Sequence, residues 1–146
     1  MHCFERAGKP REAEIAHTYH MREQARGLPT HGSKHAVADR QKAFEAAAEA
    51  FLRCADSAVN QKTKRVYLRT AGDCFMEAGD DFIGKAAEVY AKAGEYTLSA
   101  KLYRKCGKFD QAVGVVTKYR DEVESSVVDD VIGVAKLYYH QADELK

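Results

Sequence analysis

Apolar residues recur along this chain at intervals of three and four, which is the spacing of one face of an α-helix. The clearest stripe lies in 36–59 and consists of Phe44, Ala47, Ala48, Phe51, Leu52, Ala55, Ala58 and Val59. The same spacing predicts helices at 11–26, 63–78, 82–93, 97–106, 110–120 and 128–146, and 1–8 matches the end of another. Two β-branched runs, 113–116 and 127–134, keep this spacing. We therefore expect an all-α fold of about eight helices without strands.

A short sequence motif of small, aromatic and glycine residues recurs three times between 71 and 112, and we call it the repeated phrase. Each copy has a small pair, an aromatic residue, another small residue and then a glycine, which is Gly79, Gly94 or Gly107. On a helix the small and aromatic positions share one face, so a neighbouring helix can approach closely. Glycine best adopts the left-handed conformation that ends a helix. The phrase predicts an irregular stack of short antiparallel helix pairs.

Two expectations concern the last two predicted helices. Gly114 and Gly133 lie inside them, where glycine costs roughly 1 kcal/mol of helix stability relative to alanine. We expect such glycines where another helix crosses close by. Tyr138 and Tyr139 continue the apolar stripe of 128–146 and are expected to face inward.

The residues 27–35 combine two glycines, a proline and small polar side chains, so they are predicted to form a mobile connector. A chain of 146 residues with 45% hydrophobic content suits one structural unit, 1–146. The first half of the repeated phrase would lie before Met1. We therefore expect this unit to be a fragment of a longer repeat protein.

Charge and cysteine content limit the classes of partner. Lys and Arg number 23 and Asp and Glu 22, so no bulk field attracts nucleic acid or an anionic membrane. No apolar run approaches the length of a membrane span, and no membrane partner is expected. The four cysteines stand apart without a C-x-x-C pair, which predicts reduced packing residues in an intracellular protein. A disulfide framework is the alternative.

The sequence offers no set of residues typical of an enzyme. His17 and His20 lie three apart on a predicted helix, with His31 and His35 in the connector. No Cys or carboxylate recurs at a distance that would complete a zinc site, so we expect exposed histidines. No glycine-rich phosphate loop or nucleophile motif occurs. We therefore expect no catalysis, no cofactor and no metal site.

One charged cluster is a candidate for partner binding. Lys101, Arg104, Lys105 and Lys108 recur at three and four, which predicts a basic stripe opposite Leu98, Leu102 and Cys106. Such a stripe suits an acidic peptide or a phosphate backbone, and a solvated outer face is the ordinary alternative. Tyr96 and Tyr103 complete the candidate surface. Lys62, Lys64, Arg65 and Arg69 form a second, smaller basic group.

The repeated phrase resembles the tetratricopeptide-like repeats of large scaffold proteins. It is carried by Ala86, Tyr90, Ala93, Gly94, Tyr96 and Ser99, and again by Ser99, Tyr103, Cys106, Gly107, Phe109 and Ala112. The amino-acid sequences of 3–8, 22–26 and 104–110 are most similar to the helical-repeat region of large proteins that combine UvrD-like helicase cores with tetratricopeptide and ankyrin repeats. The spacing departs from the regular unit of about 34 residues. The resemblance implies an irregular α-solenoid.

Together these features predict a non-catalytic scaffold or protein-interaction module of a larger, helicase-like protein. The alternative is an accessory domain that binds nucleic acid through Lys101, Arg104, Lys105 and Lys108. A third interpretation is a spacer that only positions other domains. Exposed repeat ends would also allow the chain to self-associate.

Overall fold

A computed structural model describes residues 10–144 of the chain, and these residues form seven α-helices and no strand. The all-α prediction is confirmed. The eighth predicted helix, at 1–8, lies outside the described residues. The helices are α1 (Pro10–Arg26), α2 (Lys34–Asp56), α3 (Gln61–Ala78), α4 (Ile83–Lys92), α5 (Tyr96–Lys105), α6 (Phe109–Lys118) and α7 (Ser125–Glu144), with short 3₁₀ turns at Asp80–Phe82 and Arg120–Glu122.

The chain divides into two compact units, Met1–Phe82 and Ile83–Lys146. In the first unit α2 contacts both α1 and α3. Its fully buried rings are Phe44 and Phe51, and Tyr19 of α1 meets Phe51 edge-on with 5.0 Å between ring centroids. The small and aromatic residues of the α2 stripe therefore hold α1 and α3 on either side. The single domain over 1–146 stays a prediction.

In the second unit each helix contacts the next, and α5 also contacts α7. Short loops join these helices, so successive helices form hairpins. Ser99 is fully buried and its Oγ donates a hydrogen bond of 2.7 Å to the carbonyl of Ala87 on α4. Tyr90, Ala100, Val116 and Val131 complete the interior. The small residues of the repeated phrase thus lie where helices approach closely.

The glycines that punctuate the phrase do end helices. Gly94 and Gly107 have φ of 82° and 80°, in the left-handed region. Beyond Gly107 the amide of Lys108 donates to the carbonyl of Tyr103 at 2.9 Å, which closes the end of α5 as in a Schellman motif. Gly79 follows α3 with φ of 134°. The prediction that these three glycines end helices is confirmed.

Two side-chain caps move helix starts away from the predicted positions. Ser33 Oγ accepts a hydrogen bond of 3.2 Å from the amide of Ala36, so α2 begins at Lys34. The predicted connector 27–35 is therefore too long by two residues, because Lys34 and His35 belong to α2. Asn60 caps α3 in the same way, through the amide of Thr63 at 2.8 Å.

The mid-helix glycines do not mark helix crossings. A Cβ placed on Gly114 or Gly133 would meet nothing within 4 Å, so that expectation is wrong at both positions. The α2 stripe was also extended too far, since Val59 lies beyond the end of α2 and is 81% exposed. By contrast, a Cβ on Gly84 of α4 would lie 2.8 Å from Nζ of Lys108. This contact is with the flexible side chain of Lys108 and does not mark a crossing of two helices.

Candidate partner-binding surface

The predicted basic residues lie on the outer side of α5 and the turn after it. Lys101, Arg104, Lys105 and Lys108 are all exposed, and we call them the basic face. On the opposite side of α5, Ala100 and Leu102 are buried in the interior of the second unit. The three-and-four spacing of the cations therefore places them opposite the packed face of the helix.

The four cations of the basic face differ in their surroundings. Nε of Arg104 lies 2.9 Å from Oδ2 of Asp130 on α7, so that carboxylate offsets its charge. The side chain of Lys108 extends over Gly84 at the start of α4. Within residues 10–144, Lys101, Lys105 and Lys108 have no ion-pair partner. Lys101 and Lys105 lie one helical turn apart, so their unpaired charges lie on the same side of α5.

The two predicted tyrosines do not extend this face. Tyr103 is only 9% exposed, and burial raises the pKa of its hydroxyl. Tyr96 is half-buried and its ring stacks on Tyr119, with 3.7 Å between centroids. Tyr103 is therefore an interior packing residue, and one face of Tyr96 is already covered. The candidate surface is reduced to its cations.

The apolar side of α5 also differs from the prediction. Leu98 and Cys106 were expected to lie with Leu102 opposite the basic stripe, but only Leu102 is buried. Cys106 follows the last residue of α5 as its C-cap, so it leaves the helical face. Leu98 lies in the first turn and is 38% exposed.

A second exposed surface lies at the end of α7. Leu137, Tyr138 and Tyr139 are 64%, 49% and 42% exposed, so the prediction that the two tyrosines face inward is wrong. At this position along α7, whose length is 20 residues against 10 for α6, the neighbouring helix contributes only its first residues, Phe109 and Asp110. The first half of α7 buries Val128, Val131 and Ala135.

The start of α6 meets this end of α7. The rings of Phe109 and Tyr138 lie 5.0 Å apart, and the hydroxyl of Tyr139 donates a hydrogen bond to Asp110. That bond, the main cause, raises the pKa of Tyr139. We call Phe109, Leu137, Tyr138 and Tyr139 the aromatic end. The repeat phrase could not reveal this surface, because it does not show which neighbouring helix covers each residue.

The aromatic end adjoins the basic face. Lys108 directly precedes Phe109, and the exposed Lys136 directly precedes Leu137. Asp110 accepts the hydrogen bond of Tyr139 and keeps its negative charge. Among the described side chains, two lysines and one carboxylate therefore border the exposed rings, and this net positive charge favours a ligand with negative charge beside an apolar group.

The histidines and cysteines are placed separately. His17, His20, His31 and His35 are exposed, and in the described part of the chain no three His, Cys, Asp or Glu residues group as metal ligands would.

Cys54 and Cys74 are buried free thiols; burial raises the pKa of Cys54, and raises that of Cys74 to about 11. Both are protonated at neutral pH and poor nucleophiles. Cys106 is exposed, so its expected packing role is wrong, and Cys3 lies outside the described residues.

The first unit contains a cleft of about 300 Å³ that the sequence did not suggest. Arg22 and Arg26 line it from α1, and Asp73 and Glu77 line it from α3. Glu77 pairs with Arg40 at 3.1 Å, and Arg26 pairs with Glu23 at 2.8 Å. Because its acidic and basic groups are balanced, the cleft shows no preference for a ligand of either charge.

Comparison with known protein families, curated proteins and solved structures finds no match to this chain. The resemblance to tetratricopeptide-like and helicase-associated repeats therefore stays a prediction. In residues 10–144 no helix is both long enough and apolar enough to cross a lipid bilayer.

Proposed function

We propose that the chain is a non-catalytic protein-interaction module whose basic face binds an acidic segment of a partner protein. The observation that supports this most is the pair Lys101 and Lys105. Both are exposed, they lie one helical turn apart, and within the described chain no carboxylate forms an ion pair with them. A partner carboxylate would therefore gain an attraction that the module does not already satisfy internally.

The helix arrangement supports a scaffold of stacked hairpins. In the second unit α4, α5, α6 and α7 contact each other in order, and α5 also reaches α7. Stacked short helices cover one another's apolar faces and leave their outer residues for recognition. An irregular tetratricopeptide-like array, carried by a larger and helicase-linked protein, is the setting we propose for this module.

Charge alone gives such a surface modest affinity. An exposed ion pair contributes about 0.2–1 kcal/mol, and salt screens it within about 10 Å at 0.1 M. The basic face would thus steer and orient an acidic partner more than hold it. We expect binding that weakens as ionic strength rises.

Nucleic acid is the second candidate, because exposed tyrosines adjoin the cations and could stack on bases. We do not favour it, since Asp130 offsets Arg104 and the net charge of the chain is only +1. Labelled single-stranded DNA and RNA titrated with the chain at low salt test this candidate. Salt-dependent retention of either polymer would select it over a protein partner.

Quantitative affinity capture from cell extract tests the protein-binding proposal. The baits are the wild-type chain, the variant Lys101→Glu/Lys105→Glu, and a matched control, Lys62→Glu/Arg65→Glu. The control makes the same charge change at two exposed residues of α3 in the first unit. We expect a set of acidic proteins that the control retains and the Lys101/Lys105 variant loses. Retention of every partner by that variant would contradict the proposal.

A further inference from the structure

We propose that the aromatic end is the anchoring site for a large apolar side chain of the same acidic partner segment. This inference rests on the proposed function and specifies the partner: a segment that carries carboxylates next to a Leu, Phe or similar residue. The carboxylates lie over Lys105 and Lys108, and the apolar side chain covers Leu137 and Tyr138.

Exposure supports this assignment. Seven large hydrophobic side chains are exposed in the described chain, and three of them, Leu137, Tyr138 and Tyr139, are consecutive. The other four are Val37, Val59, Val66 and Leu98. Tyrosine is enriched among the residues that dominate binding at protein interfaces, where a rigid ring is desolvated by the partner.

Two side-chain contacts hold this surface in place before any partner arrives. The ring of Tyr138 rests on Phe109, and the hydroxyl of Tyr139 is held by Asp110. Both contacts join α7 to the start of α6. Because these rings are already positioned, a partner loses less conformational entropy in ordering them.

Charge selects an acidic partner over a second copy of this chain. In a twofold contact through the aromatic end, each copy would place Lys108, Lys136 and Asp110 against the same border of the other, and that border is net positive in both copies. Like charges in that position oppose association. An acidic segment is attracted to the same lysines, so one ligand can contact both the lysines and the exposed rings.

A displayed library of random peptides, selected on the intact wild-type chain, supplies the probe. Each selected peptide is then labelled, and its binding is measured by fluorescence anisotropy. The test variant is Leu137→Ser/Tyr138→Ser. Its matched control is Val59→Ser/Val66→Ser, which removes two exposed apolar side chains from the first unit. The charge variant Lys101→Glu/Lys105→Glu is measured in parallel, and circular dichroism checks the helix content of each variant.

We expect selected peptides that combine Asp or Glu with a large apolar residue. Their affinity should fall at least about tenfold in the Leu137/Tyr138 variant and remain unchanged in the Val59/Val66 control. Acidic peptides that bind the Leu137/Tyr138 variant as tightly as wild type would overturn this inference, while their loss in the charge variant would leave the proposed function standing. Peptides without acidic residues, or no binders at all, would also overturn it.

Self-association of the chain through the aromatic end is measured separately. Sedimentation of the wild-type chain over a range of concentrations is compared with the Leu137/Tyr138 variant. We expect the same monomeric profile for both. A concentration-dependent dimer that the variant abolishes would assign the aromatic end to a second copy and reject the acidic segment.

Discussion

At the scale of single residues, glycine has two opposite roles in this chain. Gly94 and Gly107 have positive φ and let a helix end, whereas Gly114 and Gly133 lie inside helices with open space around them. The sequence predicted the first role correctly, because a glycine after a small residue at the end of a stripe signals a helix C-terminus. It could not tell that the mid-helix glycines face no neighbour, since that depends on the packing of other helices.

Alanine substitutions should therefore have opposite signs at the two kinds of position. Gly133→Ala should raise the free energy of unfolding by about 0.4–1 kcal/mol, because it removes backbone freedom from the unfolded chain without a clash. Gly107→Ala should lower it by about 1–2 kcal/mol, because alanine is strained at φ of 80°. Urea denaturation of both variants measures the two effects. A stabilised Gly107→Ala variant would be inconsistent with the Schellman end of α5.

Cys74 gives a prediction about alkaline pH. In the unfolded chain its thiol titrates near the ordinary value of about 8.5, whereas burial raises the folded pKa to about 11 despite the opposing influence of Arg22 and Arg26. The folded state therefore holds its proton more tightly. The stabilisation from the neutral thiol is complete below the unfolded pKa and is lost as pH rises through the folded pKa.

The test is the difference in unfolding free energy between wild type and Cys74→Ala. That difference should shift against the wild type by about 2–3 kcal/mol between pH 8 and pH 11.5. Denaturant titrations at several pH values measure it. A difference that stays constant over this range would mean that the Cys74 thiol is not protected by burial.

At the scale of elements, the helices were predicted more accurately than their ends and outer faces. The stripe of α2 and the small slots of α4 and α5 lie in the interior as expected, because burial follows helical periodicity. The start of α2 was misplaced because Ser33, a cap, was interpreted as part of a loop. The faces of Tyr103 and Tyr138 were misassigned because exposure depends on which neighbouring helix covers a residue.

The pairing of α4 with α5 depends in part on one buried hydroxyl. Ser99 is 0% exposed, and its hydrogen bond to the carbonyl of Ala87 joins the two helices. Ser99→Ala should lower the free energy of unfolding by about 1 kcal/mol. Ser125→Ala, at an exposed serine of α7, is the control and should change it by less than about 0.5 kcal/mol. Equal effects of the two substitutions would show that the hydroxyl of Ser99 is not structural.

At the scale of the whole molecule, positive and negative charges nearly balance, so local groups of charged residues determine which partners the chain attracts. With a net charge of +1 the chain has little long-range attraction for any polymer, so selectivity must come from where cations lie uncompensated. The spacing of the basic stripe predicted its exposure correctly. It could not predict that Asp130 would offset Arg104, because that carboxylate comes from another helix.

A charge swap between protein and peptide tests whether Lys101 and Lys105 bind carboxylates of a protein partner. An acidic peptide that binds the chain is compared with its Lys-substituted form, each against wild type and Lys101→Glu/Lys105→Glu. We predict that the variant loses the acidic peptide, that wild type does not bind the Lys-substituted peptide, and that pairing the two altered molecules restores binding. Unchanged binding of the acidic peptide by the variant, with no gain from the swap, would show that Lys101 and Lys105 do not bind the partner's carboxylates.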